Sequence, residues 1–172
     1  MNRLVVVSNR VMLPSLKKKE STGGLAVAIL DALNQNGGVW CGWSGDSSID
    51  DVSKMNITQE GRVTYATIDL SEKQYREFYN GYCNEALWPL LHYRLDMVKY
   101  EKSNFLSYQA VNAQFADSLR ELLEPNDIVW VHDYHFIPLA KKLRALRCTQ
   151  KMGFFLQKRT SRLTVKYFVS RL

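Results

Sequence analysis

Residues 4–8 read Leu-Val-Val-Val-Ser, an unbroken run dominated by β-branched side chains. A run of that kind suits a strand covered on both faces, as in a parallel sheet. It constrains everything after it, because a parallel neighbour can pair only after a crossover connection. The sequence supplies one. A polar loop holds Pro14 and the stretch from Lys17 to Thr22, and Gly23-Gly24 then opens a helix with Leu25, Ala28, Ile29, Ala32 and Leu33 on one face. Asn36-Gly37-Gly38 ends that helix, as glycine beyond a C-cap does. Val39–Trp43 reads as a second strand and Arg62–Ile68 as a third, after a turn-rich segment. Ser71 caps an aromatic-rich helical stretch that runs to about His92, with Glu72 in its first turn. A further amphipathic helix spans 105–123 and stops at Pro125-Asn126-Asp127. Ile128–Val131 is again a short buried-strand pattern, a helix follows over about 137–146, and 153–156 is a last strand. Strands alternating with helices over short loops predict an α/β domain built on a mainly parallel sheet.

The chain has 172 residues, enough for one domain with one adequate core. No apolar run approaches the 18 residues or so of a membrane span, and the N-terminal apolar run is too short for a signal peptide. Cys41, Cys83 and Cys148 are scattered without CxxC spacing, which argues against a disulfide framework or a zinc finger. The expectation is a cytoplasmic domain with no membrane contact. The net charge of +6 is local. Residues 1–133 carry thirteen Lys/Arg against seventeen Asp/Glu, whereas residues 134–172 carry ten Lys/Arg and no acid. A basic segment can bind nucleic acid, but here it coincides with a change of sequence character, and nucleic acid is not the expected partner.

Ligands of open parallel sheets bind beyond the carboxyl ends of the strands, and two polar groups fall there. Ser8-Asn9-Arg10 leads into the loop before Gly23-Gly24. A guanidinium at a strand end suits a phosphate, and a glycine pair at a helix start lets a diphosphate approach backbone N–H groups. The plainer alternative is a surface arginine and an ordinary glycine cap. The spacing is neither GxGxxG nor a Walker loop. His132-Asp133-Tyr134-His135 follows the later strand. Asp133 could accept hydrogen bonds from sugar hydroxyls or cap the next helix. His132 and His135 lack a third metal ligand, so no metal is expected. Tyr79 and, nine residues on, Trp88 form a third group, either core or a stacking surface for a sugar.

Taken in order and spacing, six segments resemble one family: Leu4–Arg10, Gly23-Gly24-Leu25, Trp40–Gly45, Tyr79-Asn80, Leu87-Trp88-Pro89 with His92-Tyr93-Arg94, and Trp130–His135. The chain is similar over residues 1 to about 156 to the trehalose-6-phosphate synthases, the retaining, UDP-forming glycosyltransferases of family 20. The resemblance implies transfer of glucose from UDP-glucose to glucose 6-phosphate, giving trehalose 6-phosphate and UDP, with no cofactor and no metal. It implies a Rossmann-like domain forming the N-terminal, acceptor-holding half of a two-domain GT-B enzyme. By position, Arg10 and Tyr79 would contact the phosphate of glucose 6-phosphate. Trp88 and Asp133 would hold its sugar ring, with Trp88 helping to select the anomer, and Gly23 and Gly24 would approach the donor diphosphate. No catalytic residue is assigned.

After Leu156 the likeness ends. The family continues with a histidine and an Ile-Pro-Phe-Pro segment, where this chain has Gln157-Lys158-Arg159. The expected division is an acceptor-binding domain over 1–156 and an unrelated basic tail over 157–172. Such a boundary is what a frameshifted or prematurely ended reading frame would leave, with no synthase activity in the 172 residues alone and an exposed cleft face that favours homo-oligomers. The competing expectations are a non-catalytic sugar-phosphate-binding module, an anionic-surface binder acting through 141–171, and a product without function.

Overall fold

Alternate valines of the first strand point to opposite sides of a sheet, and both sides are covered. In the computed structural model, which describes residues 2–13, 24–50 and 54–156, Val5, Val6 and Val7 are all fully buried. Val5 and Val7 join a core with Phe78, Phe115, Leu119 and Leu139. Val6 joins a second core, across the sheet, with Ile29, Leu33, Trp40 and Tyr65. The result is a helix–sheet–helix sandwich, the layering that a strand apolar on both faces requires.

The elements in chain order are β1 (Leu4–Arg10), α1 (Gly24–Asn36), β2 (Gly38–Ser48), β3 (Asn56–Glu60) and β4 (Val63–Ser71). A continuous helical stretch follows: α2 (Glu72–Gln74), a π-helical segment (Tyr75–Leu87) and α3 (Trp88–Leu91). Then come a 3-10 turn (Leu95–Met97), α4 (Lys102–Leu122), β5 (Ile128–His132), a 3-10 turn (Tyr134–Phe136), α5 (Leu139–Ala145) and β6 (Lys151–Phe155). The sheet order is β3-β4-β2-β1-β5-β6. All pairings are parallel except β3 with β4. The chain therefore builds outward from β1 through β2 to β4, returns through the helices, and resumes on the other side with β5 and β6. The order reverses between β1 and β5, the kind of crevice where open α/β sheets bind ligands.

Local chemistry accounts for the boundaries. Gly37 adopts φ +75° just past α1, and its N–H closes on the Leu33 carbonyl at 2.8 Å. Ser71 and Gln74 form a reciprocal capping box at the start of α2. The Arg3 guanidinium makes two hydrogen bonds to the buried Asp127 carboxylate, at 3.0 and 2.8 Å, tying the start of β1 to the turn before β5.

Three features differ from the sequence reading. The turn-rich segment contains β3, a fully exposed polar strand folded against β4 around Gly61, whose φ is +59°. The helical stretch from Ser71 is mostly π-wound. On α1 the buried side chains are Ile29, Leu30 and Leu33, while Leu25 and Ala28 are exposed. Gly23, most of the loop over 11–22, and the basic tail 157–172 lie outside the described residues.

Candidate functional site

Between the carboxyl ends of β1 and β5, at the reversal of strand order, lies a cavity of about 270 Å³. Asn9 and Arg10 border it from β1, Leu25 from the first turn of α1, and His132, Asp133 and His135 from the end of β5. Two of the three candidate segments thus meet at one site.

The end of β1 is shaped to present its side chains. Val7 pairs with Cys41 and Arg10 with Trp43, so three steps on β1 face two on β2, which is a β-bulge. Gly42 makes the bulge possible, since a Cβ there would overlap the Ser8 carbonyl. Ser8 Oγ accepts the buried Trp40 indole N–H at 2.8 Å and donates to the Arg10 carbonyl at 3.1 Å. The Arg10 guanidinium lies over the Trp43 ring, 5.9 Å from its centroid, and against Gly45. A Cβ on Gly45 would stand 2.9 Å from Arg10 Nη2, and φ at Gly45 is +98°. Two glycines of the Trp40–Gly45 segment therefore serve the site, one through the strand and one through the arginine. The trace in the sequence is glycine inside an otherwise apolar strand.

The end of β5 is strained where the site needs a carboxylate. Asp133 has φ +71° and ψ 170°, a region almost confined to glycine that costs about 1–3 kcal/mol. Its N–H donates to Phe155 of β6 at 2.7 Å, and its Oδ1 accepts the Tyr134 N–H at 3.0 Å. Asp133 thus caps the 3-10 turn, one of its two sequence alternatives, and also borders the cavity.

His132 and His135 are 1% and 7% exposed. Burial pushes the His132 imidazole down to about 4 and the His135 imidazole down to about 3, so both are neutral near pH 7. Their ring nitrogens have no hydrogen-bond partner, nor does Asn9 Oδ1. Orphaned polar atoms in a buried wall are costly. A neutral imidazole offers one donor and one acceptor, which suits hydroxyl groups. No group of three His, Cys, Asp or Glu that could hold a metal occurs among the described residues.

Tyr79, on the π-helical segment, joins this neighbourhood through its ring. It stacks on His135 with centroids 5.8 Å apart and lies 6.2 Å from Trp43, which also carries Arg10. Trp88 stands apart: it is 39% exposed and stacks on His92 at 4.3 Å rather than bordering the cavity. Gly24 is the first residue of α1, and nothing lies within 4 Å of where its Cβ would be. The cysteines are buried and unpaired, and burial pushes the Cys41 thiol up to about 12. No helix among the described residues is long and apolar enough to cross a membrane.

Comparison with known proteins bears on this site. The family model described as glycosyltransferase family 20 matches residues 2–159. A curated trehalose-6-phosphate synthase from Enterobacter sp. (strain 638) is 47% identical over 156 residues, covering 91% of this chain and 32% of the relative. The chain thus spans about a third of the length of the curated relatives it matches. The crystal structure of an alpha,alpha-trehalose-phosphate synthase (UDP-forming) from Burkholderia vietnamiensis superposes with a TM-score of 0.84 at 44% identity, covering 91% of this chain and 34% of that one. A Burkholderia xenovorans enzyme of the same description, solved in complex with glucose-6-phosphate, gives 0.81 at 44% identity over 90% of this chain and 33% of its own.

Proposed function

The chain belongs to glycosyltransferase family 20, and we propose that its 172 residues supply the acceptor half of a trehalose-6-phosphate synthase site, binding glucose 6-phosphate at the β1/β5 crevice. The observation that carries this reading is the composition of the cavity wall. A guanidinium, a carboxylate, an amide and two neutral imidazoles line the same cavity, a set that matches one anionic group and several hydroxyls on a single small molecule. Arg10 holds the phosphate, with Tyr79 beside it. Asp133 accepts from the sugar hydroxyls; the family reading gives Trp88 the sugar ring, although Trp88 stacks on His92 and does not line the cavity. Gly24, with Gly23 before it, leaves room for the donor diphosphate at the start of α1. The donor in the family reading is UDP-glucose.

In this division of labour the chain positions an acceptor, and positioning alone is a large part of catalysing transfer between two bound sugars. The test is titration calorimetry of the purified chain with glucose 6-phosphate, with Arg10→Ala alongside. A charge-assisted hydrogen bond contributes about 1.5–3 kcal/mol, so the variant should bind about 10- to 100-fold more weakly. Equal binding by both proteins would remove Arg10 from the site, and no binding by the folded chain would remove the acceptor reading.

A further inference from the structure

Thirteen large apolar side chains stand exposed among the described residues, and seven of them fall between Trp88 and Leu106. Leu90, Tyr93, Leu95, Met97 and Tyr100 are each between 47% and 76% exposed, and none of the five borders the β1/β5 cavity. Exposed apolar residues scattered singly mean little, whereas a run of them marks a contact surface. The stretch is anchored along the π-helical segment. The Lys99 N–H donates to the Glu85 carbonyl at 2.8 Å, and the Tyr100 ring meets Tyr82 edge-on at 6.4 Å.

Tyr93 carries a second mark. The Arg94 N–H donates to the Pro89 carbonyl at 2.9 Å and the Tyr93 N–H to the Leu90 carbonyl at 3.2 Å, the two bonds of a Schellman turn closing α3. The bend of such a turn is left-handed and usually holds glycine. Here it holds Tyr93, at φ +59°. With most of the ring in solvent, burial does little to offset the strain, and strained positions of this kind cluster at functional sites.

The charges around these residues select the partner. Arg94, Asp96, Lys99, Glu101 and Lys102 alternate in sign along the stretch, and Glu85 beside Lys99 makes three of each. Arg94 and Asp96 pair at 2.8 Å and Lys99 and Glu85 at 3.7 Å, all four open to solvent. A nucleic acid or an acidic peptide calls for a rim of one sign. A rim with both signs in equal number is complementary to its own copy turned about a two-fold axis. Tyr, Met and Arg are also the side chains that protein interfaces favour.

We propose that the Leu90–Tyr100 face is an isologous dimer interface whose occupant is a second copy of this chain, with Tyr93 as its anchor. The acidic groups of each copy meet the basic groups of the other, and the dimer forms without glucose 6-phosphate because the face lies off the cavity.

Sedimentation velocity of the full 172-residue chain, at low salt where surface charges are least screened, tests this. The parent should pass from monomer to dimer over a micromolar concentration series, since a small interface binds weakly. Tyr93→Gly relieves the backbone and removes the ring. It should weaken dimerisation at least about tenfold, while its thermal midpoint, read where the parent is monomeric, stays level or rises. Two charge variants keep the apolar face. Arg94→Glu with Lys99→Glu makes the rim acidic, and Glu85→Lys with Asp96→Lys makes it basic. Each alone should stay monomeric where the parent dimerises, and the two mixed in equal amounts should recover the dimer. A parent that stays monomeric throughout overturns the proposal. So does a dimer that Tyr93→Gly leaves intact, or two charge variants that pair no better with each other than with themselves.

Discussion

Acidification offers a test of the buried histidines that needs no ligand. In the folded chain His132 and His135 stay neutral down to about pH 4 and about pH 3 because burial penalises their charged forms. In the unfolded chain each takes a proton near pH 6.5. Folded pKa values below the unfolded one mean that stability is fully present above about pH 6.5. It is lost as pH falls, because only the unfolded state gains the protons. Between about pH 7 and pH 5 each imidazole removes about 1.8 kcal/mol, so the pair removes about 3–4 kcal/mol. That is a large share of the roughly 5–15 kcal/mol of a typical domain. With a urea slope of about 2 kcal/mol/M, the unfolding midpoint should fall by about 1–2 M across this window. His92 is present in every protein compared. The control is His132→Gln with His135→Gln, whose midpoint should be nearly flat from pH 7 to pH 5. A flat profile in the parent, or the same slope in the double variant, would refute the assignment of these two rings as buried and neutral.

Three further outcomes follow from single contacts. Ser8→Ala leaves the buried Trp40 N–H without its 2.8 Å acceptor and should cost about 1–3 kcal/mol in urea unfolding. Gly45→Ala should weaken glucose 6-phosphate binding more than it weakens the fold, because its Cβ displaces the Arg10 guanidinium; calorimetry and thermal melts on one sample separate the two effects. Asp133→Gly relieves the strained backbone at φ +71° while losing the cap to Tyr134, terms of similar size. Its thermal midpoint should stay near the parent's while sugar-phosphate binding drops.

The fold was legible wherever burial writes a pattern. Leu4–Val7 and Ile128–Val131 are apolar throughout because both faces of the sheet are covered, and each is a central parallel strand. Gly37 announced the end of α1 because φ +75° favours a residue without Cβ. Strand β3 left no trace, since an edge strand with every side chain exposed has no inward face to mark. The winding of Tyr75–Leu87 was equally hidden. It is a choice of backbone register, and its signature is the five-residue spacing of Phe78 and Cys83, which an α-helical period discards. Leu25 read as a core residue of α1 but borders the cavity instead.

For the site, Arg10 and Asp133 could be placed at strand ends from sequence because the parallel-strand pattern fixes which end is which. That both ends flank the same crevice depended on β5 pairing with β1, a long-range choice that no local pattern encodes. The roles of Gly42 and Gly45 needed the bulge and the arginine in view. His132 and His135 read as ambiguous because exposure decides whether an imidazole is a ligand, a base or a buried neutral ring. Trp88 joined the other aromatics on composition, yet it stacks on His92 and does not border the cavity.

The central claim is that the orphaned polar wall between β1 and β5 receives glucose 6-phosphate. Histidine-selective NMR of the 172-residue chain addresses it at the atoms concerned. On titration with glucose 6-phosphate, the His132 and His135 ring resonances should shift along one saturable curve, and Arg10→Ala should move its midpoint to about 10- to 100-fold higher concentration. Resonances that stay fixed in a folded protein at saturating sugar phosphate, or that move equally in Arg10→Ala, would contradict it.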